Sequence, residues 1–260
     1  MNSKVIQIDC IEGLRALQEP VSVIVTSPPY NIGLKYKSSD DRRKDYLEWM
    51  RQVFVVCKQA LADHGHFFLQ VGGTSKRPMI SSEVLAQALE AGFVLQNDII
   101  WVKNISLSER AEDSYGQFKP VPGERYLNNT YEHIFHLTKT GLERVNRLGN
   151  GVNLKWESNV KRFNHGSRFR CRGLLWFIPY ETIQSKAEKH HHPAIFPVML
   201  PEMCIKMSGI PKGSLVVDPF VGTGSTLIAC ERLKMRGIGF DISSEYCKAA
   251  EYRLLKETQI

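Results

Sequence analysis

The sequence predicts an α/β fold with a doubly wound, mostly parallel sheet and a small inserted lobe. Three observations carry that expectation. Apolar, β-branched runs alternate with segments of helical periodicity in both the N- and C-terminal parts of the chain. The runs end at proline or glycine turns, as strands do. One stretch, Gly141 to Lys189, breaks the alternation and is rich in Arg, Asn, Gly and aromatics.

Taken in order, Lys4 to Asp9 alternates apolar and polar residues like a short strand, and Cys10 to Leu17 can form a helix. Val21 to Val25 is a β-branched run typical of a buried strand. It stops at Thr26-Ser27-Pro28-Pro29-Tyr30, because two prolines forbid continuation as strand or helix. Tyr46, Met50, Val53, Cys57 and Leu61 recur at helical spacing, and this helix is expected to close at Gly65. A strand over His66 to Val71 stops at Gly72-Gly73. Ser81 to Ala91 is a helix ending at Gly92, and Asp98 to Val102 and Tyr131 to Leu137 are further strands. The C-terminal part repeats the pattern: helix Pro197 to Met207, strand Ser214 to Val217, helix Ser225 to Leu233, strand Gly237 to Phe240 and helix Ser244 to Lys256. Strands separated by helices must run parallel, which gives the doubly wound sheet.

A chain of 260 residues buries one substantial core with room for a small appended lobe. The expected organisation is a first half over 1–140, a basic insert over 141–189 and a second half of the same domain over 190–260. No apolar run is long enough to span a bilayer, and the opening residues lack the apolar stretch of a signal peptide. The expectation is a soluble, cytoplasmic protein with no membrane partner. The six cysteines are scattered without a CxxC pair, which fits reduced thiols rather than a disulfide framework. His190-His191-His192 point in different directions and have no second ligand cluster, so no metal is expected. The net charge of +7 is concentrated: Gly141 to Lys189 holds ten Lys/Arg against four Asp/Glu. That balance suits a polyanionic partner or a plain solvated basic face.

Two motifs carry chemistry. Leu215 to Asp218 reads as a strand leading into Pro219-Phe220-Val221-Gly222-Thr223-Gly224-Ser225-Thr226, a glycine turn opening a helix. Gly222 and Gly224 let backbone approach a ligand closely, and the helix start offers free N–H groups. A GxG turn by itself is common punctuation. This one has no Gly-Lys-Ser/Thr, which argues against an NTPase, and it lacks the third glycine of the dinucleotide fingerprint. Asp241, at the end of the following strand, is an acid suited to both hydroxyls of a ribose. The second motif, Ser27-Pro28-Pro29-Tyr30, is by itself either a rigid turn with a packed tyrosine or a site that presents hydrogen-bond acceptors and an aromatic ring.

Together, Asp218-Pro219-Phe220-x-Gly222-x-Gly224-Ser225-Thr226 and Ser27-Pro28-Pro29-Tyr30 resemble the cofactor-binding and catalytic motifs of S-adenosylmethionine-dependent DNA amino methyltransferases. The order, with the catalytic motif first, the basic insert second and the cofactor motif last, is similar to that of the β group of these bacterial restriction–modification enzymes. The resemblance covers nearly the whole chain. It implies a Rossmann-like, seven-stranded sheet of the class I methyltransferase type. It also implies S-adenosyl-L-methionine as cofactor and double-stranded DNA as partner, and it leaves room for a homodimer and a cognate restriction endonuclease. Lys189 to Pro197 resembles the segment preceding the cofactor turn, which puts His192, Pro193 and Phe196 near the methionine portion. Family members commonly have Gly-Asp at the end of the first strand; this chain has Ile8-Asp9, with Asp9 as the implied adenine contact.

An exocyclic amine is a poor nucleophile because its lone pair is delocalised into the ring. The Ser27 hydroxyl and a carbonyl of the Pro28-Pro29 turn can accept its two N–H groups, and Tyr30 can stack on a base extruded from the duplex. Ser rather than Asp at position 27 points, by family pattern, to cytosine N4, with adenine N6 as the alternative. More remote readings are an RNA or protein-glutamine methyltransferase, whose motif usually carries Asn before the prolines, and a catalytically silent DNA-binding module that retains cofactor. Within the insert, Arg162, Arg168, Arg170 and Arg172 interleave with Trp156, Phe163 and Phe169 as candidate DNA contacts. Lys35 and Lys37, in the polar loop after Tyr30, either contact phosphates or sit on an ordinary surface loop.

Overall fold

The computed structural model describes residues 2–31, 42–75, 77–104, 123–127, 129–153, 168–179 and 196–258. In chain order the elements are Ser3–Gln7 (β1), Cys10–Arg15 (α1), Val21–Thr26 (β2), Tyr46–Ala60 (α2), Leu61–Val71 (β3), Ile80–Glu90 (α3), Val94–Asn104 (β4) and Tyr131–Thr138 (β5). They continue with Val152–Asn153 (β6), Phe169–Arg170 (β7), Leu175–Pro179 (β8), Met199–Ser208 (α4), Leu215–Asp218 (β9), Ser225–Leu233 (α5), Arg236–Asp241 (β10) and Ser244–Thr258 (α6).

The main sheet has the order β1-β10-β9-β2-β3-β5-β4-β8. All neighbours pair in parallel except β5, which runs antiparallel to β3 and β4. The fold class is therefore the expected one, with one strand beyond the seven. The extra strand is β8, at the edge beside β4. Trp176 and Ile178 on β8 turn into the core, and the Trp101 indole donates to the Ile178 carbonyl at 2.9 Å. Five residues with large apolar side chains on both faces show no alternation to read, which is why the sequence pattern misses this strand.

Both faces of the sheet are covered, so the central strands are apolar on both sides. On one face, Ile24 of β2 and Phe67 of β3 pack with Met50 and Phe54 of α2 and Val84 of α3. On the other, Val23, Val25 and Phe68 pack with Cys204 of α4, Leu227 of α5 and Leu254 of α6. Full burial of side chains such as Met50 or Phe54 contributes roughly 1.5–3 kcal/mol each.

The helix expected to close at Gly65 instead ends at Ala60, and Leu61 is already extended at φ −68, ψ 138. Leu61 is buried as the last apolar residue of the helical period and as the first residue of β3, which hides the boundary. The pairing of β3 with β2 then shifts, from Val21↔Leu61 to Val23↔His66, and Gly65 falls inside this irregular stretch.

From β9 the chain proceeds outward through β10, and from β2 it proceeds the opposite way through β3. The strand order thus reverses between β9 and β2. A crevice opens at the carboxyl ends of such a pair, where ligands of doubly wound sheets collect.

Candidate active site

The two sequence motifs meet at that reversal. β9 ends on Asp218, which is 0% exposed. Its carboxylate accepts from Thr26 Oγ1 and Thr226 Oγ1, each at 2.6 Å, and from the Phe220 backbone N–H at 3.1 Å. Burial pushes the Asp218 carboxyl up to about 6, against the pull of the two threonine hydroxyls. Asp218 thereby shapes the turn from inside. Beyond it, Gly222 and Gly224 take φ of 49 and 87, angles that favour glycine. Gly224 caps α5, and a Cβ there would lie 3.0 Å from the Ala250 Cβ of α6.

Asp241, half-buried at the end of β10, accepts from the Gly222 N–H at 3.1 Å and the Ser243 N–H at 2.8 Å. Each carboxylate oxygen keeps capacity for a further donor. Burial raises its pKa from the ordinary carboxylate value. Gln7 of β1 pairs with Asp241, so Asp9 comes to the same end of the sheet. One Asp9 oxygen caps α1, accepting from the Ile11 N–H at 2.8 Å. Phe220 meets the Trp49 ring of α2 edge-on, with centroids 5.7 Å apart.

Across the crevice, Ser27 Oγ lies 3.0 Å from the Tyr30 hydroxyl. That hydroxyl reaches Gln70 Oε1 at 2.9 Å and Glu132 Oε2 at 3.3 Å. Glu132 in turn pairs with Lys103 and accepts from the Gln70 amide nitrogen. Desolvation, and then the Glu132 charge, hold the Tyr30 pKa well above its ordinary value, so the phenol stays protonated. The Pro29 carbonyl is taken by Tyr46 Oη at 2.7 Å. Pro28 is buried.

Of the residues singled out in the sequence, Ser27, Pro28, Pro29 and Tyr30 stand on one side of the crevice. Asp9, Asp218, Phe220, Gly222, Gly224, Ser225 and Asp241 stand on the other. Phe196, ahead of α4, packs against the second core. Arg168 and Arg170 are exposed beside the small β6–β7 pair, whereas Arg172 donates to the Asn150 carbonyl at 3.1 Å. Lys35, Lys37, Arg162, His192 and Pro193 lie outside the described residues. In the sequence alone Gln70 and Arg253 do not stand out, Thr26 opens the proline motif without a role of its own, and Lys103 and Glu132 fall in stretches that match family positions on the substrate side without an individual role. Arg253 of α6 donates to the Thr223 carbonyl at 2.8 Å and to Thr223 Oγ1 at 2.9 Å, bracing the glycine turn. No local pattern announces an arginine 30 residues after the turn it holds.

The DNA methylase family model of the N6/N4 type matches residues 21–252. The chain belongs to the DNA methylase family. It is a DNA amino-methyltransferase of the β-group, restriction–modification type, and S-adenosylmethionine is its cofactor. It is 28% identical to the type II methyltransferase M.HpaI of Haemophilus parainfluenzae, over 99% of this chain and 76% of that protein. It is 27% identical to the DNA adenine methyltransferase YhdJ of Escherichia coli, over 91% of this chain and 76% of that protein. The fold of this DNA methylase is similar to the solved PvuII DNA methyltransferase, described as cytosine-N4-specific, with a TM-score of 0.71 and 21% identity over 100% of this chain and 91% of that one.

The donor set fits the cofactor. Asp9 and Asp241 put acidic groups at the end of the sheet that carries the glycine turn, and this turn holds no lysine. That set suits a cationic nucleoside without phosphates. No described helix is long and apolar enough to cross a membrane, and among the described residues no group of His, Cys, Asp or Glu is placed to hold a metal.

Proposed function

We propose that the chain methylates the N4 amino group of cytosine in a specific sequence of double-stranded DNA, on a base extruded into the crevice between β2 and β9. The observation that carries this reading is the Ser27-Pro28-Pro29-Tyr30 turn beside the cofactor turn, tied to it by the Thr26–Asp218 hydrogen bond. Asp241 would hold the ribose, Gly222 and Gly224 would admit the backbone close to the cofactor, and Asp9, Phe196 and Phe220 would flank it. His192 and Pro193, by family position, join them near the methionine portion. S-adenosylmethionine supplies an electrophilic methyl group on a sulfonium. The protein's part is to make the amine nucleophilic. Ser27 Oγ and the Pro28 carbonyl accept its two N–H groups, which localises the nitrogen lone pair and aims it. The Pro29 carbonyl already accepts one hydrogen bond from Tyr46, which favours Pro28 for the acceptor role. The Tyr30 ring offers a stacking surface.

Cytosine is favoured because position 27 is Ser, not Asp. Adenine N6 is the second reading, favoured by the likeness to a relative named as an adenine methyltransferase. The insert over 141–189 would hold the DNA, with Arg162, Arg168, Arg170 and Arg172 on phosphates or base edges, and Lys35 and Lys37 on the phosphates near the extruded base. The test is to incubate the protein with isotope-labelled S-adenosylmethionine and unmodified bacterial DNA, then identify the modified nucleoside by mass spectrometry. N4-methylcytosine supports the reading; N6-methyladenine replaces it with the second; no labelled nucleoside overturns both.

A further inference from the structure

We propose that Glu132, held by Lys103 and Gln70, is a positioning residue that fixes the hydroxyl protons of Tyr30 and Ser27, so that Ser27 Oγ meets the target amine as an acceptor. The inference rests on the reading of Ser27 as an amine acceptor and goes beyond it by saying what makes the serine one. A serine hydroxyl both donates and accepts. If its proton faced the amine, donor would meet donor and the nitrogen lone pair would not be localised.

The proton count settles which way the chain of hydroxyls runs. Glu132 is a carboxylate paired with the Lys103 ammonium, which is 3% exposed. An ionised carboxylate only accepts, so the Gln70 side chain turns its amide nitrogen to Glu132 and its carbonyl oxygen to Tyr30. Tyr30 has a single proton, and it faces two acceptors, Gln70 Oε1 and Glu132 Oε2. What remains toward Ser27 is a lone pair, so across their 3.0 Å separation Ser27 donates and Tyr30 accepts. The serine proton is thereby turned inward, and its own lone pairs are left for the crevice.

The scaffold is spread over the carboxyl ends of β2, β3 and β4 and the start of β5, and each contributes a part. Gly72 is required for the same reason: a Cβ there would lie 2.5 Å from Glu132 Cδ. The low local dielectric makes the arrangement strict, because a buried carboxylate without its lysine, or a lysine without its carboxylate, is strongly disfavoured. With a neutral amide in place of the carboxylate, Gln70 is free to turn over, the Tyr30 proton can swing to Ser27, and Ser27 can present its proton to the amine.

The test compares Glu132→Gln, Tyr30→Phe and the double variant with wild type, with Ser27→Ala alongside. The measurements are single-turnover methyl transfer at saturating cofactor and DNA, cofactor and DNA dissociation constants, and melting temperature. Either single substitution should slow transfer roughly 10- to 100-fold with both dissociation constants unchanged. The double variant should be no slower than the slower single one, because both break one chain of hydrogen bonds. A purely structural role would instead lower the melting temperature and give losses that multiply. A folded Glu132→Gln or Tyr30→Phe protein with the wild-type rate overturns the inference, as do multiplying losses. Tyr30→Phe removes no charge, so it decides the matter should Glu132→Gln not fold. A wild-type rate in Ser27→Ala overturns the underlying reading of the serine itself. A dead Ser27→Ala beside a fully active Glu132→Gln overturns only the role given to Glu132.

Discussion

Thr26 Oγ1 donates to Asp218 Oδ1 at 2.6 Å, joining the ends of two adjacent parallel strands that lie 192 residues apart in the chain. The bond ties the turn that carries Ser27 to the turn that carries Gly222. Replacing Thr26 with Val keeps the shape and removes the donor. Leaving a buried carboxylate oxygen without that partner should cost about 1–3 kcal/mol of stability. The loss should also depend on pH. Asp218 has its folded pKa raised to about 6 from 3.8, so its contribution is fully present below 3.8 and is lost as pH rises through about 6. Without Thr26 the charged form is held less well, so urea denaturation should show a larger deficit at pH 8 than at pH 5.

Asp241→Ala should weaken cofactor binding more than it slows transfer at saturating cofactor. The carboxylate offers charge-assisted hydrogen bonds to a ribose and also orders the Gly222 amide. Its loss should cost roughly 1.5–3 kcal/mol of binding. Calorimetric titration with S-adenosylmethionine checks this, and an unaltered dissociation constant would mean that the ribose is held elsewhere.

A pair of buried histidines makes a second, opposite pH dependence. His66 Nδ1 lies 3.0 Å from His136 Nε2, and Asn97 Nδ2 lies 2.9 Å from His136 Nδ1. Burial lowers the His136 pKa from 6.5 to about 3 and lowers that of His66 as well. A depressed pKa means stability that is present above 6.5 and lost progressively as pH falls toward about 3. His136→Gln keeps polar partners for Asn97 and His66 and removes one titrating ring. Its midpoint in urea should fall less steeply than that of the wild type between pH 6.5 and 5. Parallel slopes would assign the acid sensitivity to other groups.

Arg168→Ala and Arg170→Ala address DNA binding, since both positions are exposed beside β6 and β7. An arginine that only anchors phosphate should weaken binding to all duplexes alike and reduce the salt dependence by about one unit of slope. One that reads a base should relax preference at one position, by roughly 1–3 kcal/mol. Fluorescence anisotropy on cognate and scrambled duplexes across salt separates the two. Wild-type behaviour in both variants would move recognition away from these positions.

What the sequence determined by itself is local. Apolar periodicity located the strands and helices of the doubly wound sheet. The two-proline turn and the glycine turn marked the ends of β2 and β9, because those residues impose backbone angles that are visible one residue at a time. The family resemblance then named cofactor and chemistry. Other features depend on contacts between distant segments and leave no local trace. β8 is a strand because β4 offers it an edge and a core for Trp176. The division of labour between Asp218 and Asp241 is of the same kind. Asp218 is enclosed by hydroxyls from β2 and α5, while Asp241 keeps capacity toward the crevice. Gln70, Lys103 and Glu132 come from three different strands, with no spacing in the sequence to connect them. Only when β3, β4 and β5 lie side by side do a lysine, a carboxylate and an amide close on the hydroxyl of Tyr30 and thereby decide where the proton of Ser27 points.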